Sequence, residues 1–495
     1  MKLSYKCFVS LPLGLLMLFS ACTNSLEVDP TSVITNNSFW KTENDAVGGL
    51  NGMYVKLRNV AQLTLFQLGE GRGETMDWGG IVGTAGYDRF YMNTLDATTA
   101  GPSWSDYYAI VNAANLLLKY VPGITFKSED TKNNILAQAY TMRAYAYFVM
   151  TRTWGDLVIR ITPTEGYSAE TTQKERSPKA EVFKLIREDL DKALALYPNN
   201  NFSTGRFYWS KAAAYTLKAD VCLWTGKVLN GGKADFTLAL EALEEAQKAD
   251  VTLLSSYPAI FDYANKGNKE ILMAVRFQLL ESPNNGYQDM YIPASVIPGT
   301  ADPAAVSTIG TAGGNIIWTP SAVVRGQFTD DDKRKAASFL EIYTKDQGGT
   351  TAYFGSIVLK CRGTVDKGVR AFVDDVVLYR YADVLLMKAE AKNALDMDPA
   401  AEINAVRQRA YGEEYSNHVF VSGSKIQNDE AILKERLFEL AFEGKRWWDL
   451  VRFGKAFDLV PSLKDRKGKD YLLLFPISST TLSLEPKVKQ NEGYQ

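Results

Sequence analysis

Histidine is almost missing from this chain: one residue, His418, in 495. Imidazole-based acid–base catalysis and zinc sites made of clustered His and Cys therefore have little to work with. His418 follows Tyr415-Ser416-Asn417 in a polar stretch with no G-x-S-x-G or other nucleophile context near it, so it reads as a surface loop residue. Cysteine is scarce too. Of the four, Cys7 and Cys22 lie near the N-terminus, and the spacing of Cys222 and Cys361 fits no metal or redox motif. Cys222 falls in an apolar helical run, which favours a buried thiol, with a single disulfide to Cys361 the alternative. Charge of one sign is lacking as well: 55 Lys and Arg face 57 Asp and Glu, interspersed along the chain, which excludes a surface built for nucleic acid. No segment runs 18 residues without a polar interruption, so no resident membrane-spanning helix is expected.

What is present begins with an export pattern. Lys2 and Lys6 precede an apolar run that is broken at Pro12 and Gly14 and ends in Ser20-Ala21-Cys22, the form of a cleaved signal spanning residues 1–21. Leu18-Phe19-Ser20-Ala21-Cys22 resembles a lipobox, so Cys22 is the expected lipidation site. Acyl chains there would anchor the protein, at about 0.8 kcal/mol per buried methylene. Residues 22–38 are polar, without a helical period, and read as a tether. Loss of residues 1–21 removes Lys2 and Lys6 and leaves a formal charge of −4 on 474 residues.

Residues 39–495 are read as one composite domain in which helical periodicity dominates. In 104–120, Trp104, Tyr108, Val111, Asn115 and Leu118 recur at three- and four-residue steps, with one polar member, and a second helix follows over 134–153. The pattern returns in 181–197 and 210–228, then in 378–395, 399–410 and 430–453. Ala144 with Phe148, and Ala219 with Leu223, give small-then-large spacings that let paired helices approach closely. The expected fold is mainly α, with TPR-like hairpins at about 104–153, 181–228 and 378–453 as a scaffold.

Between these blocks run two segments of another character. Residues 69–101 carry eight glycines with Trp78, Tyr87, Phe90 and Tyr91; residues 281–355 are rich in Gly, Pro, Ser and Thr and carry Tyr287, Tyr291, Trp318 and Tyr353. Long loops in compact proteins are functional or disordered, and large rings argue against disorder. Sugar rings present apolar C–H faces to aromatic side chains, and their edge hydroxyls seek Asp, Asn, Gln or Arg. Arg72, Asp77, Trp78, Tyr87, Tyr287, Tyr291 and Trp318 are the expected ligand contacts.

Catalysis has weaker candidates. Gly69-Glu70-Gly71-Arg72-Gly73 lacks the Lys-Ser/Thr ending of a phosphate loop. Glu435, Glu439 and Glu443 fall at four-residue steps as if on one helix face, with Arg436 and Arg446 nearby, so structural ion pairs are the simpler account. Glu70, Glu74 and Asp77 are the loop carboxylates from which a glycosidase pair, two carboxyls about 5–10 Å apart, would be drawn. Neither a catalytic residue nor a metal or cofactor is expected.

Ordered motifs then point to a family. Asn37-Ser38-Phe39-Trp40-Lys41-Thr42-Glu43-Asn44-Asp45-Ala46 opens the pattern, and Trp154-Gly155-Asp156-Leu157 and Asn268-Lys269-Glu270-Ile271-Leu272 continue it. The most specific part is Arg380-Tyr381-Ala382-Asp383-Val384-Leu385-Leu386-Met387-Lys388-Ala389-Glu390-Ala391 with Ile403-Asn404-Ala405-Val406-Arg407. Glu435-Arg436, Glu439-Leu440, Glu443-Gly444-Lys445-Arg446-Trp447-Trp448-Asp449-Leu450-Val451-Arg452, Phe475-Pro476-Ile477 and Gln490-Asn491-Glu492-Gly493-Tyr494 complete it. The chain resembles the SusD/RagB-like outer-membrane nutrient-binding lipoproteins. The resemblance implies a TPR-like scaffold, a loop-built binding face for an oligosaccharide, and a SusC-like TonB-dependent transporter as partner. It implies an outer-membrane, cell-surface location through the lipid anchor, and no enzymatic activity. A peptide-capturing RagB-type binder, a surface glycosidase and a scaffold that binds only protein are the alternatives.

Overall fold

A computed structural model of the protein describes residues 39–494. The signal segment 1–21, the tether 22–38 and the lipidation site Cys22 lie outside the described residues. The chain divides into two units, Met1–Lys41 and Thr42–Gln495, and the helices and strands named below belong to the second.

Helix α1 (Glu43–Ala61) opens on a capping box. Asp45 N donates to Thr42 Oγ1 (3.3 Å) while Thr42 N donates to Asp45 Oδ2 (2.7 Å), satisfying two donors that a helix start leaves open. There follow α2 (Ser105–Tyr120), α3 (Glu129–Trp154), α4 (Lys179–Leu196), α5 (Lys211–Val228), α6 (Gly232–Ala246), α7 (Tyr381–Ala394), α8 (Ala400–Tyr411), α9 (Lys425–Leu440) and α10 (Arg446–Arg452). From α1 to α7 each packs on the one before it, and α7 also carries α8 and α9. The architecture is mainly α with TPR-like hairpins. Ala144, Phe148, Ala219 and Leu223 are all fully buried. A buried bidentate pair, Arg143 with Asp189 (2.7 Å at both nitrogens), and Arg143 Nη1 to Asn115 Oδ1 (2.7 Å), tie α2, α3 and α4 together.

Three details depart from the periodicity. Helix α6 lies outside the expected hairpins, and it is the close mate of α5, whereas α4 lies chiefly on α3. Helix α9 begins at Lys425, earlier than expected, because Ser424 and Gln427 form a second capping box. The helix expected over 430–453 is two, α9 and α10. The chain leaves the helical region at Ala441 (ψ 138°), and Phe442 and Gly444 take φ of +67° and +74°. Glu443 is therefore not on a helix face with Glu435 and Glu439.

The segments between helices hold antiparallel pairs: β1 (Met76–Asp77) with β3 (Thr319–Pro320), β2 (Ile271–Val275) with β8 (Val376–Arg380), β4 (Phe339–Lys345) with β5 (Thr351–Val358), and β6 (Thr364–Asp366) with β7 (Val369–Ala371). Strands β2 and β8 lead the chain back to α7 across a buried charge network. Arg380 donates to Glu270 (2.9 Å), Glu439 (2.6 Å) and Glu443 (2.9 Å); Arg334 donates to Glu435 (2.7 Å); Lys360 donates to Glu443 (2.8 Å). The three glutamates are structural ion pairs as expected, but with other partners: Arg436 pairs with Asp383 and Asp449, and Arg446 with Glu74. Burial pushes the Glu439 carboxyl up; Arg409, Arg380 and Arg334 overcome it and hold the group below the usual carboxylate range. Cys222 and Cys361 are both free and buried, and burial pushes the Cys222 thiol up to about 11.

Candidate binding face on the glycine-rich loops

The glycine-rich segment after α1 is anchored at its root. Glu70 is fully buried and accepts from Phe442 N (2.9 Å), Lys445 N (3.0 Å) and Thr75 Oγ1 (2.8 Å), so it caps backbone donors in the break between α9 and α10. Glu74 accepts from Arg446 Nε (2.9 Å) and Nη2 (2.6 Å). Arg72 donates to Asn93 Oδ1 (2.7 Å) and to the carbonyls of Leu474 (2.8 Å) and Leu472. Its guanidinium lies 4.4 Å from the Trp447 ring centroid and 4.8 Å from that of Phe475. Gly69 permits this docking, since a Cβ there would stand 1.9 Å from the Gly444 carbonyl oxygen. The charges among these glycines thus fasten the loop to the C-terminal scaffold. Glu70 and Glu74 have no open approach for a substrate, which removes them as a catalytic pair.

Beyond the root, pairing of Met76 with Pro320 and of Asp77 with Thr319 joins this loop to the 281–355 segment. Ser356 Oγ donates to the Pro320 carbonyl (3.1 Å), which brings β5 alongside. At the end of β1 the chain turns outward, and Asp77 and Trp78 face solvent, with Trp78 42% exposed. Its indole N–H donates to the Val82 carbonyl, so the ring is held without needing a ligand acceptor. On the neighbouring hairpin Tyr343 (37%) and Tyr353 (43%) are exposed, with ring centroids 5.8 Å apart. Arg325 lies 4.3 Å from the Tyr353 ring centroid and pairs with Glu341. Rings displayed by adjacent strands, with guanidinium and carboxylate groups between them, suit a ligand that has both apolar faces and polar edges.

The expected contacts divide sharply. Trp78 and Asp77 are exposed and Tyr87 is half-buried. Arg72, Tyr287, Tyr291 and Trp318 are buried, which corrects the expectation that they face a ligand. Trp318 is the floor under the face: Tyr87 stacks on it (5.4 Å, 25°), and Phe66, Phe90 and Tyr91 crowd it edge-on or tilted. Tyr287 donates to the Phe442 carbonyl (3.0 Å), and Tyr291 to that of Ile309 (2.7 Å), so both hydroxyls are spent on loop structure. Sequence reasoning passed over Asp289 and Asn315. Asn315 Nδ2 donates to Asp289 Oδ1 (2.7 Å), while the Asp289 backbone carbonyl accepts from Ile317 N (2.7 Å) and Trp318 N (3.0 Å). Burial raises the Asp289 carboxyl, and burial with the Asp289 charge raises the Tyr87 phenol; both residues meet Trp318, Tyr87 through its ring and Asp289 through its carbonyl. No sequence pattern announces this pair; its position depends on the loop doubling back at Gly314, where a Cβ would meet the Tyr291 carbonyl oxygen at 1.9 Å.

Tyr87 also lines a surface groove of about 360 Å³ with Thr64, Gln67, Arg89 and Asp106, within the size range of small-ligand sites, roughly 300–1,000 Å³. A narrow cavity of about 50 Å³ lined by Trp448, Arg152 and Asp220 has room for a few waters. His418 stacks on Tyr411 (3.7 Å, 6°) and its Nε2 meets Asp331 Oδ2 at 2.6 Å.

A stack of helical hairpins whose inter-helix loops are fastened down to present a ring-bearing face defines a loop-built binding protein on an α-repeat scaffold. Residues 367–494 match the family model described as the SusD family, and residues 34–223 match one described as starch-binding, associating with the outer membrane. The structure of NanU from B. fragilis is 34% identical and superposes with a TM-score of 0.82, covering 94% of this chain and 100% of that one. A SusD superfamily protein from Bacteroides vulgatus is 32% identical, with a TM-score of 0.80 and coverage of 92% and 100%. SusD-like protein P38 of Formosa agariphila is 27% identical over 538 residues, covering 100% of this chain and 99% of that protein. The chain belongs to the SusD family, a family of outer-membrane-associated glycan-binding proteins. Among the described residues no helix is long and apolar enough to cross a membrane.

Proposed function

We propose that the protein captures a nutrient oligosaccharide on the face around Trp78, without cleaving it, and delivers it to a SusC-like TonB-dependent transporter. The observation that carries this reading is the pre-set Trp78 ring, exposed beside Asp77 and with its only polar atom already bonded. A sugar ring stacks on such a surface by its C–H face, while the exposed Asp77 next to it can accept from hydroxyls. Retention without turnover is supported by the fate of the candidate carboxylates, since Glu70 and Glu74 are buried and held by hydrogen bonds from the scaffold. Acylation at Cys22 after removal of residues 1–21 would hold the protein at the outer membrane, on the cell surface, where the transporter opens.

Calorimetric titration of the mature chain with a panel of oligosaccharides, in parallel with Trp78→Ala, tests the reading. Binding to at least one sugar that weakens in the variant is expected. Binding to peptides alone would overturn it in favour of a peptide-capturing role, and release of shorter sugars during incubation would overturn the non-catalytic part. Purification from membranes should recover a large β-barrel partner.

A further inference from the structure

A second groove lies on the helical side of the molecule, bounded by α1, α3 and the segment joining α4 to α5, and shares no residue with the loop face. It holds about 450 Å³, and none of its sixteen lining residues is charged. In a chain with 23% charged residues, about four would be expected among sixteen, and the groove beside Tyr87 includes both Arg89 and Asp106. Its walls are instead rings and carboxamides, among them Phe202, Tyr208, Trp209, Asn51, Asn134 and Gln138.

The carboxamides are oriented by protein partners on one side only. Tyr208 O–H donates to Asn51 Oδ1 (2.7 Å), and Tyr54 O–H donates to Gln138 Oε1 (2.8 Å) while accepting from Trp209 N (2.7 Å). Both amides therefore have the oxygen fixed and the NH2 without a partner among the described residues. The Trp209 indole, 2% exposed, packs on Tyr145 and Tyr379, and its N–H is buried away from the groove, so the two amides are the donors that count here. Fixed neutral donors beside aromatic surface fit an uncharged ligand rich in hydroxyl oxygens and C–H faces. A peptide's termini and charged side chains would find no counter-charge here, and an anionic polymer no cation.

We propose that this groove is a second binding site, for a neutral oligosaccharide, separate from the Trp78 face. It rests on the glycan-capture reading only for the class of ligand. Two sites on one chain would let a long glycan be held at two points, raising its effective concentration at each.

The test is calorimetric titration of the full mature chain with linear hexasaccharides of glucose, mannose, galactose and xylose, using wild type, Trp78→Ala, Val47→Trp and the double variant. Val47 lies on the rim and is 38% exposed, so a larger ring there obstructs the groove without entering the core. Asn199→Ala, at an exposed rim position, serves as a second, milder variant. Expected is a binding event that survives Trp78→Ala, weakens at least tenfold when Val47→Trp is added, and weakens severalfold with Asn199→Ala. No event surviving Trp78→Ala with any hexasaccharide, or a surviving event indifferent to Val47→Trp and Asn199→Ala, would overturn the second site and leave the Trp78 reading standing. Binding that ignores Trp78→Ala and is lost with Val47→Trp would do the reverse. Unchanged sugar binding, with reduced recovery of a membrane partner by Val47→Trp, would also overturn the proposal by making the groove a protein contact.

Discussion

The root and the tip of the glycine-rich loop lie a few residues apart and are physical opposites. At the root Glu70, Arg72 and Glu74 are buried, and each meets a partner on the C-terminal scaffold. At the tip Asp77 and Trp78 face solvent, and Trp78 makes its hydrogen bond inside its own turn. In such a segment glycine serves two ends: close docking where charge is buried, and an outward turn where a ring is displayed. Charge marks the fastening, and the ring beyond it marks the working surface.

Breaking the root should cost the most. Arg446→Ala leaves the Glu74 carboxylate buried without its counter-ion, and a loss of about 3–5 kcal/mol is expected from urea denaturation. Trp318→Ala removes a fully buried indole from under the face and should cost a similar amount, about 3–5 kcal/mol, so its effect on binding should follow its effect on folding.

A buried carboxyl sharpens the comparison through pH. Asp374 accepts from Gly363 N through one carboxyl oxygen, its other oxygen has no partner, and burial pushes the group up to about 7. The folded chain therefore keeps a proton that the unfolded chain releases near pH 4, and this group's contribution to stability falls as pH rises between those values. Asp374→Asn should be more stable than wild type at pH 8, by up to about 4 kcal/mol at about 1.36 kcal/mol per pH unit, and should lose that advantage below pH 4. Glu439 and Glu443 run the other way. Held below the usual carboxylate range, they contribute stability at neutral pH that is lost as pH falls through their folded values. The smallest change in stability is expected at the tip, where Trp78→Ala should shift the urea midpoint by no more than about 0.5 kcal/mol equivalent.

Much of the scaffold was legible because a helix writes its buried face into a 3.6-residue period, as in α2, α4 and α5. The split between α9 and α10 was hidden because Ala441-Phe442 is apolar and continues the period, while the break depends on Gly444 meeting Gly69, a contact across almost the whole chain. The site was less legible. Trp78 and Trp318 stand in similar loops, yet one is displayed and the other entombed, and only the pairing of β1 with β3 separates them. Exposure in irregular segments has no period to read. The spacing of acidic and basic residues among the glycines at 69–74 was the available signal that this stretch is an anchor, and Ser424 with Gln427 was the overlooked signal for the start of α9.

The most direct measurement is the affinity of Trp78→Ala for a sugar that the wild-type chain binds, taken beside its denaturation midpoint. Loss of a displayed indole from a stacking contact should weaken binding by about 2 kcal/mol, some thirtyfold, with the midpoint unmoved. Undiminished affinity in a folded Trp78→Ala chain would contradict the assignment of this face as the place where ligand is held.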